Sequence, residues 1–436
     1  MTWRIACDEA EVAVELAARA ASLEVDLAPW VSPTPVDEIL AAVANGDSRI
    51  GLASVHPLDA AALVALHRAA DGIALPVAMP AGSLALARDL GLLATRDLGP
   101  FVASLALADA GVERPWEAST RGLASLDRLR LGGDLVGGRE ELRWERESDG
   151  VLALAHADGR IRVGPGADVA DALRAARDRA EGAVPRMPTV EGVDPESVLE
   201  VILGPPRDLS DPASKGALLA YDVPLPQEVL CTSPSRAASE AAQIGFPVRL
   251  ALASPDLRLW DHSDLVADGV DNAARVRDVF RQMMALGGAR ADRQRLLGVT
   301  VSATTSARAL MRVEVASLAE GLARATLGFA DPHGLAADDR TQLVLPADSA
   351  GIERALRRLR GHPLLLGDST SVRREVVENL TDSLLRVAAF VNEWRAEVES
   401  VRIHPLAILL DGTIEARDVC IRVGDAFTRS LRNAAP

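Results

Sequence analysis

Short apolar runs alternate with helical periods through residues 1–110, and this alternation is the feature that most constrains the fold. The pattern predicts parallel strands joined by crossover helices, that is, a flavodoxin/Rossmann-like α/β region. No G-x-G-x-x-G follows any of the strands, so no dinucleotide-binding fingerprint is present. The segments that carry the pattern are "RIGLASV" (Arg49–Val55) and "ALPVAMP" as strands, and "LDAAALVALHRAAD" (Leu58–Asp71), "GSLALARDLG" and "PFVASLALADAG" as helices.

Residues 111–190 have a different character. The run "LRLGGDLVGGREELRWERESDGVLALAHADGRIRVG" is rich in glycine and in turn pairs such as Asp149-Gly150 and Asp158-Gly159. It predicts a small antiparallel sheet. The Pro-rich stretch "VPRMPTVEGVDPES" then predicts a linker. We therefore expect three parts, namely an α/β region at 1–110, a small β-rich segment at 111–190 and a larger domain at 191–436.

The largest part mixes helices with antiparallel strands, which predicts an α+β domain. "SPSRAASEAAQIG" (Ser233–Gly245) is typical of a helix capped by serine. "LLGVTVSAT" is expected to pair with "ARALMRVEVAS", which follows it closely. The closing run "VRIHPLAILLDGTIEARD" (Val401–Asp418) predicts a hairpin with a turn at Asp411-Gly412 and a strand that breaks at His404-Pro405.

Composition narrows the classes of function. The formal net charge is −15 and the pI about 5.0, which argues against nucleic-acid binding because that draws on basic side chains. Lys215 is the single lysine among 47 basic residues, so a mechanism that needs several lysines is excluded. Three widely spaced cysteines form no disulfide framework, and no window is long and apolar enough for a membrane span. We expect a cytoplasmic protein.

The segment from Lys215 to Leu257, "KGALLAYDVPLPQEVLCTSPSRAASEAAQIGFPVRLALASPDL", resembles the opening of an ATP-grasp domain in the NDP-forming acyl-CoA synthetases, the acetyl-CoA and succinyl-CoA ligase superfamily. The helix "GIERALRRLRGHPLLLG" and the closing hairpin resemble later family segments in the same order. The resemblance covers roughly residues 195–425 and implies an ATP-grasp-like domain. It also implies ATP with Mg²⁺ and coenzyme A as cofactors. The N-terminal region is similar to the flavodoxin-like ligase subdomains of the same family.

The resemblance places the nucleotide-binding positions on residues that do not suit them. The strand lysine of the family pattern P-V-V-L-K falls on Ala251, two residues after Arg249 on the same strand face. Arg249 is either a partial substitute or a surface arginine. After the S-P-D motif, "LRLWDHSDLVADGV" is two residues longer than the family's run and keeps His262 and Asp264 without its lysine. Those two residues are also typical of a turn in a surface loop.

The metal-binding strand of the family, D-I-N-P-L, supplies an acid and an amide, and the matching positions here are Arg402 and His404. A cation would repel Mg²⁺, and imidazole is a poor ligand for it, so we expect no metal site. The family's glycine-rich signature is reduced to Gly328 and Gly334 in "TLGFADPHGL", too few for a phosphate nest. Lys215 matches a lysine at the domain start and is either structural or close to the nucleotide.

Three hypotheses for function follow. The first is a degenerate ATP-grasp protein that serves as a non-catalytic binding, regulatory or assembly subunit. The second is an active, ADP-forming acid–CoA ligase subunit that makes an acyl-CoA thioester with a partner chain. The third is an ATP-independent enzyme or binder that uses the same cleft for a CoA ester or for an anion such as a carboxylate or a CoA phosphate. The candidate cleft residues are Lys215, Arg249, His262, Asp264, Arg402 and His404, and no catalytic residue can be named.

Overall fold

The computed structural model describes residues 2–70, 75–109, 143–156, 159–165, 167–169, 172–173, 187–330, 339–366 and 370–425. The chain divides into two compact units, Met1–Val184 and Pro185–Pro436.

The first unit is built on a five-stranded parallel sheet in the order β2-β1-β3-β4-β5, the flavodoxin-like order. This confirms the predicted parallel α/β region. Its elements are β1 (Trp3–Cys7), α1 (Ala10–Ser22), β2 (Leu27–Val31), α2 (Pro35–Ala44), β3 (Ile50–Ala53), α3 (Ala60–Ala69), β4 (Pro76–Ala78), α4 (Ala81–Asp89), β5 (Leu93–Thr95) and α5 (Leu98–Asp109).

A three-stranded antiparallel sheet of β6 (Arg143–Arg146), β7 (Val151–His156) and β8 (Gly159–Pro165) follows in the same unit. It matches the small sheet predicted from the glycine-rich run. Trp144, Leu152 and Leu154 pack against Ala103 and Ala106 of α5 in one apolar cluster. The small sheet is thus joined to the α/β region by a shared core.

The second unit contains two sheets. Its elements are α6 (Pro195–Ile202), β9 (Arg207–Asp208), α7 (Asp211–Leu219), β10 (Glu228–Cys231), α8 (Pro234–Ile244), β11 (Val248–Ala253), β12 (Val266–Val270), α9 (Ala273–Gly288), β13 (Gly298–Ala303), β14 (Ala307–Ala319), β15 (Leu322–Phe329), β16 (Arg340–Leu345), α10 (Ser349–Arg357), α11 (His362–Leu366), α12 (Thr370–Glu393), β17 (Val398–Leu409), β18 (Ile414–Ala416) and β19 (Val419–Val423). Short 3₁₀ turns lie at Leu259–Asp261, Ser263–Leu265 and Arg293–Arg295.

The smaller sheet has four antiparallel strands in the order β10-β13-β11-β12. Helices α8 and α9 bury Ala237, Ala241, Val276 and Phe280 against it. The predicted serine cap of α8 is confirmed, because Ser233 Oγ accepts a hydrogen bond from the Arg236 N–H at 3.3 Å.

The larger sheet runs β16-β15-β14-β17-β19-β9, and β18 pairs with β17. Helix α12 packs beneath it through Val376, Leu380, Leu384, Val387 and Val391, which recur at helical spacing on one face. The opposite face of this sheet is left for polar residues of the functional site.

The predicted pairing of "ARALMRVEVAS" with "LLGVTVSAT" is wrong. The first segment forms β14, which pairs with β15 and β17, whereas the second forms β13 of the smaller sheet. Both edges of β13 are already taken by β10 and β11. Strand β14 instead belongs to the larger sheet, where its alternating residues Met311, Val313 and Val315 are buried in the main core.

The predicted hairpin is confirmed, but its predicted strand break is wrong. Strand β17 continues through His404-Pro405 and absorbs the proline as an irregularity in its register with β14. The His404 N–H still donates to the Asp418 carbonyl at 2.9 Å, and the Arg417 N–H donates to the Pro405 carbonyl at 3.1 Å. A bulge thus accommodates the missing proline N–H without ending the strand.

Two glycines test the packing of the second unit. Gly298 has φ +136°, and a Cβ there would lie 2.2 Å from the backbone oxygen of Cys231, so we expect Gly298→Ala to lower the free energy of unfolding by about 2–4 kcal/mol. Gly216, in the middle of α7, has no atom within 4 Å of a built Cβ. We expect Gly216→Ala to raise the free energy of unfolding by about 0.5–1 kcal/mol. Urea unfolding measures both, and equal effects of the two variants would contradict this packing.

Candidate functional site

A cavity of about 740 Å³ is lined by residues of both sheets of the second unit. Five arginines and four acids contribute to its wall, so the lining is strongly charged. The charged and aromatic lining residues are Arg249, Trp260, Asp261, Asp268, Arg312, Glu314, Arg340, Arg402, His404, Arg417 and Asp418.

The structure brings three of the six sequence-predicted site residues together in this cavity, namely Arg249, Arg402 and His404. The other three, Lys215, His262 and Asp264, are outside its lining. Arg249 comes from β11 of the smaller sheet, and Arg402 and His404 come from β17 of the larger one. The two arginines therefore face one common space.

Arg249 is buried and paired. One of its terminal nitrogens lies 3.1 Å and 3.2 Å from the two carboxylate oxygens of Asp418, and its Nε lies 3.4 Å from Asp268. Arg249 and Asp418 are only 7% and 4% exposed. The pair joins the smaller sheet to the residue just before β19 of the larger sheet, so Arg249 is chiefly a link between the sheets.

Lys215 belongs to a buried charge cluster next to that pair. Its Nζ lies 2.8 Å from Asp211 and 2.7 Å from Glu228, and the Val419 N–H donates to Asp211 at 2.7 Å. Burial, with Glu228 and Asp418 nearby, raises the pKa of Asp211 to about 7 although Lys215 opposes the shift. Lys215 thus links α7 to β10 through two buried ion pairs and lies outside the cavity lining.

His262 lies between the two short turns before β12, and Asp264 lies in the second of them. Both carboxylate oxygens of Asp264 accept hydrogen bonds from Arg290 at 2.7 Å. This surface ion pair holds down the pKa of Asp264. The arrangement agrees with a turn in a surface loop, while the intervening Ser263 reaches the cavity.

The strand that resembles the family's metal strand is occupied by an aromatic and cationic stack. The Trp260 ring stacks on the His404 ring with 5.5 Å between centroids, and the Arg402 guanidinium lies 5.9 Å from the Trp260 ring centre. Arg402 also donates to Asp208 at 3.2 Å. Burial, followed by the charge of Arg312, lowers the pKa of His404 to about 4, so its imidazole is neutral near pH 7.

These residues do not fit a nucleotide-bound Mg²⁺. The acid of the family pattern is replaced by a guanidinium and the amide by a stacked imidazole, whereas Mg²⁺ prefers oxygen ligands. Within the described ranges, no group of three or more His, Cys, Asp or Glu residues is placed to hold a metal ion.

Sequence reasoning missed several residues of the site. Asp208 is the centre of an arginine cluster, bonded to Arg258, Arg402 and Arg422. These partners lie 50 to 214 positions away, so no local pattern could have found them. Trp260 could have been noticed in the sequence, because it lies in the run after the S-P-D motif that is two residues longer than the family pattern.

The neutral state of His404 predicts a pH dependence. The unfolded histidine binds a proton near pH 6.5, but the folded one does so only near pH 4, so stability falls as pH falls through that window. Between pH 7 and pH 4.5, we expect the free energy of unfolding of the wild type to fall by about 1–2 kcal/mol more than that of His404→Gln. Urea unfolding at both pH values measures this. His262→Gln is the control, and an equal effect in that variant would contradict the assignment.

The Arg249–Asp418 pair predicts a large loss of stability when one partner is removed. Asp418→Asn leaves the buried guanidinium with only the more exposed Asp268, so we expect a loss of about 2–4 kcal/mol in the free energy of unfolding. Asp264→Asn breaks an exposed pair and should cost much less. Similar losses in the two variants, measured by urea unfolding, would refute the linking role.

Solved structures of other proteins are similar to about half of this chain. Solved structures that resemble it include the dinucleotide forming acetyl-coenzyme A synthetase 1 of Ca. Korarchaeum cryptofilum in complex with coenzyme A, Ca-AMPCP and HgCl+ (18% identity, 50% of this chain and 93% of that one, TM-score 0.43). A protein of Pyrococcus horikoshii Ot3 aligns at 20% identity over 53% of this chain and 99% of that one, with a TM-score of 0.45. The ATP citrate lyase of Methanothrix soehngenii, in complex with citrate and coenzyme A, aligns at 12% identity over 50% of this chain and 51% of that one, with a TM-score of 0.34.

The family assignment rests on the sequence match instead. Residues 204–423 match the ATP-grasp domain family, and this range covers both sheets of the second unit. It confirms the resemblance seen in the sequence over the region from Lys215 to the closing hairpin. The chain therefore belongs to the ATP-grasp domain family.

Proposed function

We propose that the ATP-grasp domain of this protein has lost phosphoryl transfer and works as a binding, regulatory or assembly subunit. The observation that carries this proposal is the stack of Trp260 on His404 beside the Arg402–Asp208 pair. This stack fills the strand positions where the family resemblance puts the ligands of the nucleotide-bound metal.

The charges at the metal-ligand and lysine positions also support a loss of phosphoryl transfer. Phosphoryl transfer by a fold of this kind depends on positioning and on neutralising the phosphates with metal ions and basic residues. Arg402 brings a positive charge to a metal-ligand position, and two cations at close range repel each other. Ala251, at the position of the strand lysine, is 2% exposed and carries no charge.

Arg249 does not replace that lysine well. Its guanidinium is already engaged by Asp418 and Asp268, and those contacts link the two sheets. Moving it to a phosphate would leave a buried carboxylate without its partner, which is costly.

Titration calorimetry and thermal shift with Mg·ATP test the proposal. We expect no heat of binding and no rise in Tm up to millimolar Mg·ATP, and no ADP formation when a carboxylic acid and coenzyme A are added. Mg²⁺ alone and ATP with EDTA are the controls. Micromolar Mg·ATP binding would overturn the proposal, and acid-dependent ADP formation would establish the active acid–CoA ligase instead.

A second candidate is an ATP-independent binder of a CoA ester or carboxylate. The observation that favours it is the convergence of Arg249 and Arg402 on one cavity, together with three more arginines. A rise in Tm with coenzyme A or organic acids, but not with Mg·ATP, would support it.

The setting that we propose is the cytoplasm, with a protein partner or a second copy of the chain as the assembly partner. Cys7, Cys231 and Cys420 are buried and unpaired with one another, which suits a reducing compartment. In the part of the chain that the structure describes, no helix is long and apolar enough to cross a membrane.

A further inference from the structure

The polar face of the larger sheet is ordered in rows. In one row, Arg402 of β17 is opposite Glu314 of β14, which is opposite Thr326 of β15. In the next row, Arg312 of β14 is opposite Gly328 of β15.

Gly328 is in turn opposite Arg340 of β16, which completes the second row. The three residues Arg312, Gly328 and Arg340 all line the cavity. We call this row the arginine clamp.

Glycine in the middle of the clamp lets the two arginines approach each other. A Cβ at Gly328 would lie 3.2 Å from the Asp339 backbone oxygen, 3.5 Å from Arg340 Cγ and 3.9 Å from Arg312 Cβ, so a side chain there would crowd the neighbouring strand and contact both arginine stems. Neighbouring strands are about 4.8 Å apart, which puts the Cα atoms of the two arginines roughly 10 Å apart. That gap is within the combined reach of two arginine side chains.

The clamp itself is positively charged, while Glu314 of the neighbouring row and three aspartates also line the cavity. The two ends of the clamp are guanidinium groups, of which Arg312 also donates to the Phe329 carbonyl at 3.4 Å, and its centre has no side chain. Asp339, next to Arg340, uses its carboxylate oxygens to accept hydrogen bonds from the Arg360 and Gly361 N–H groups, both at 2.8 Å. On the other side, His404 on β17 is neutral near pH 7, and Arg312 contributes to the lowering of its pKa.

We propose that Arg312 and Arg340 clamp an oxyanion, a phosphate or carboxylate group, across Gly328, and that no divalent cation takes part. This inference rests on the proposed function, since it names the ligand class of the same cavity. Guanidinium groups bind such anions through paired, charge-assisted hydrogen bonds, which suits two arginines that converge on one group.

The ligand is larger than a free phosphate. A cavity of about 740 Å³ has the size of sites that hold whole organic molecules. The half-buried Trp260 ring also lines the cavity and offers an apolar surface to the body of such a molecule. The clamped group is therefore the anionic end of an organic compound.

Titration calorimetry in EDTA tests the clamp with three probes, namely inorganic phosphate, succinate and coenzyme A. We expect the wild type to bind at least one of them. Arg312→Gln and Arg340→Gln should each weaken that binding about tenfold or more. Arg308→Gln, on the same strand as Arg312 but outside the cavity lining, should leave it unchanged.

The probes separate the two sources of the anion. If phosphate but not succinate competes with coenzyme A for the site, the clamped group is a phosphoryl group. If succinate but not phosphate competes, the clamped group is a carboxylate. Gly328→Val keeps every charge but separates the two arginine stems, so it should weaken binding like the arginine variants. Tm measurements establish whether each variant is folded. Because Arg340 is exposed on β16, Arg340→Gln is the variant that least disturbs the core.

Some results would overturn the clamp. These are no binding of any probe by the wild type, an equal loss in Arg308→Gln, or full binding by Gly328→Val. They leave the proposed loss of phosphoryl transfer standing. Micromolar Mg·ATP binding would overturn that loss, while probe binding in EDTA that depends on Arg312 and Arg340 would still support the clamp.

Discussion

The ion pair between Arg249 and Asp418 is the interaction on which the second unit depends. It connects β11 of the smaller sheet to the start of β19 in the larger sheet, and both side chains are almost fully buried. The cluster of Asp211, Lys215 and Glu228 adjoins it and ties α7 and β10 to the same place. Because buried charges are stable only when paired, these contacts fix how the two sheets face each other and therefore the shape of the cavity.

The cavity between these sheets lies within the region that matches the ATP-grasp domain family, and its lining is strongly charged. Trp260, Arg402 and His404 form a compact stack at β17. Asp208 holds both Arg402 and Arg258, and so anchors the turn that carries Trp260 to the same strand. The lining of this cavity combines five arginines with a tryptophan, and the proposed function and the proposed ligand class both rest on that combination.

Much of the fold could be predicted because its signals are local. The parallel sheet of the first unit follows from alternating apolar runs and helical periods, and α8 follows from its serine cap. The pairing of β14 could not be predicted from its neighbours in sequence, because the competition between β10, β11 and β14 for the edges of β13 is decided by the whole domain. The bulge at His404-Pro405 likewise depends on acceptors and donors at Arg417 and Asp418.

The sequence by itself determined the fold class and the ATP-grasp resemblance, since these depend on residue type and spacing, and it predicted that Arg402 and His404 stand where the resemblance expects an acid and an amide. It also named Arg249, Arg402 and His404 as cleft residues, and tertiary structure brought them together. Only tertiary structure decided that Lys215 is buried in ion pairs, that Trp260 stacks on His404 of β17, and that Arg312 and Arg340 flank Gly328 in one row of the sheet. The physical reason is that charge pairing and strand register join residues far apart in the chain, and no local pattern encodes which partner each will meet.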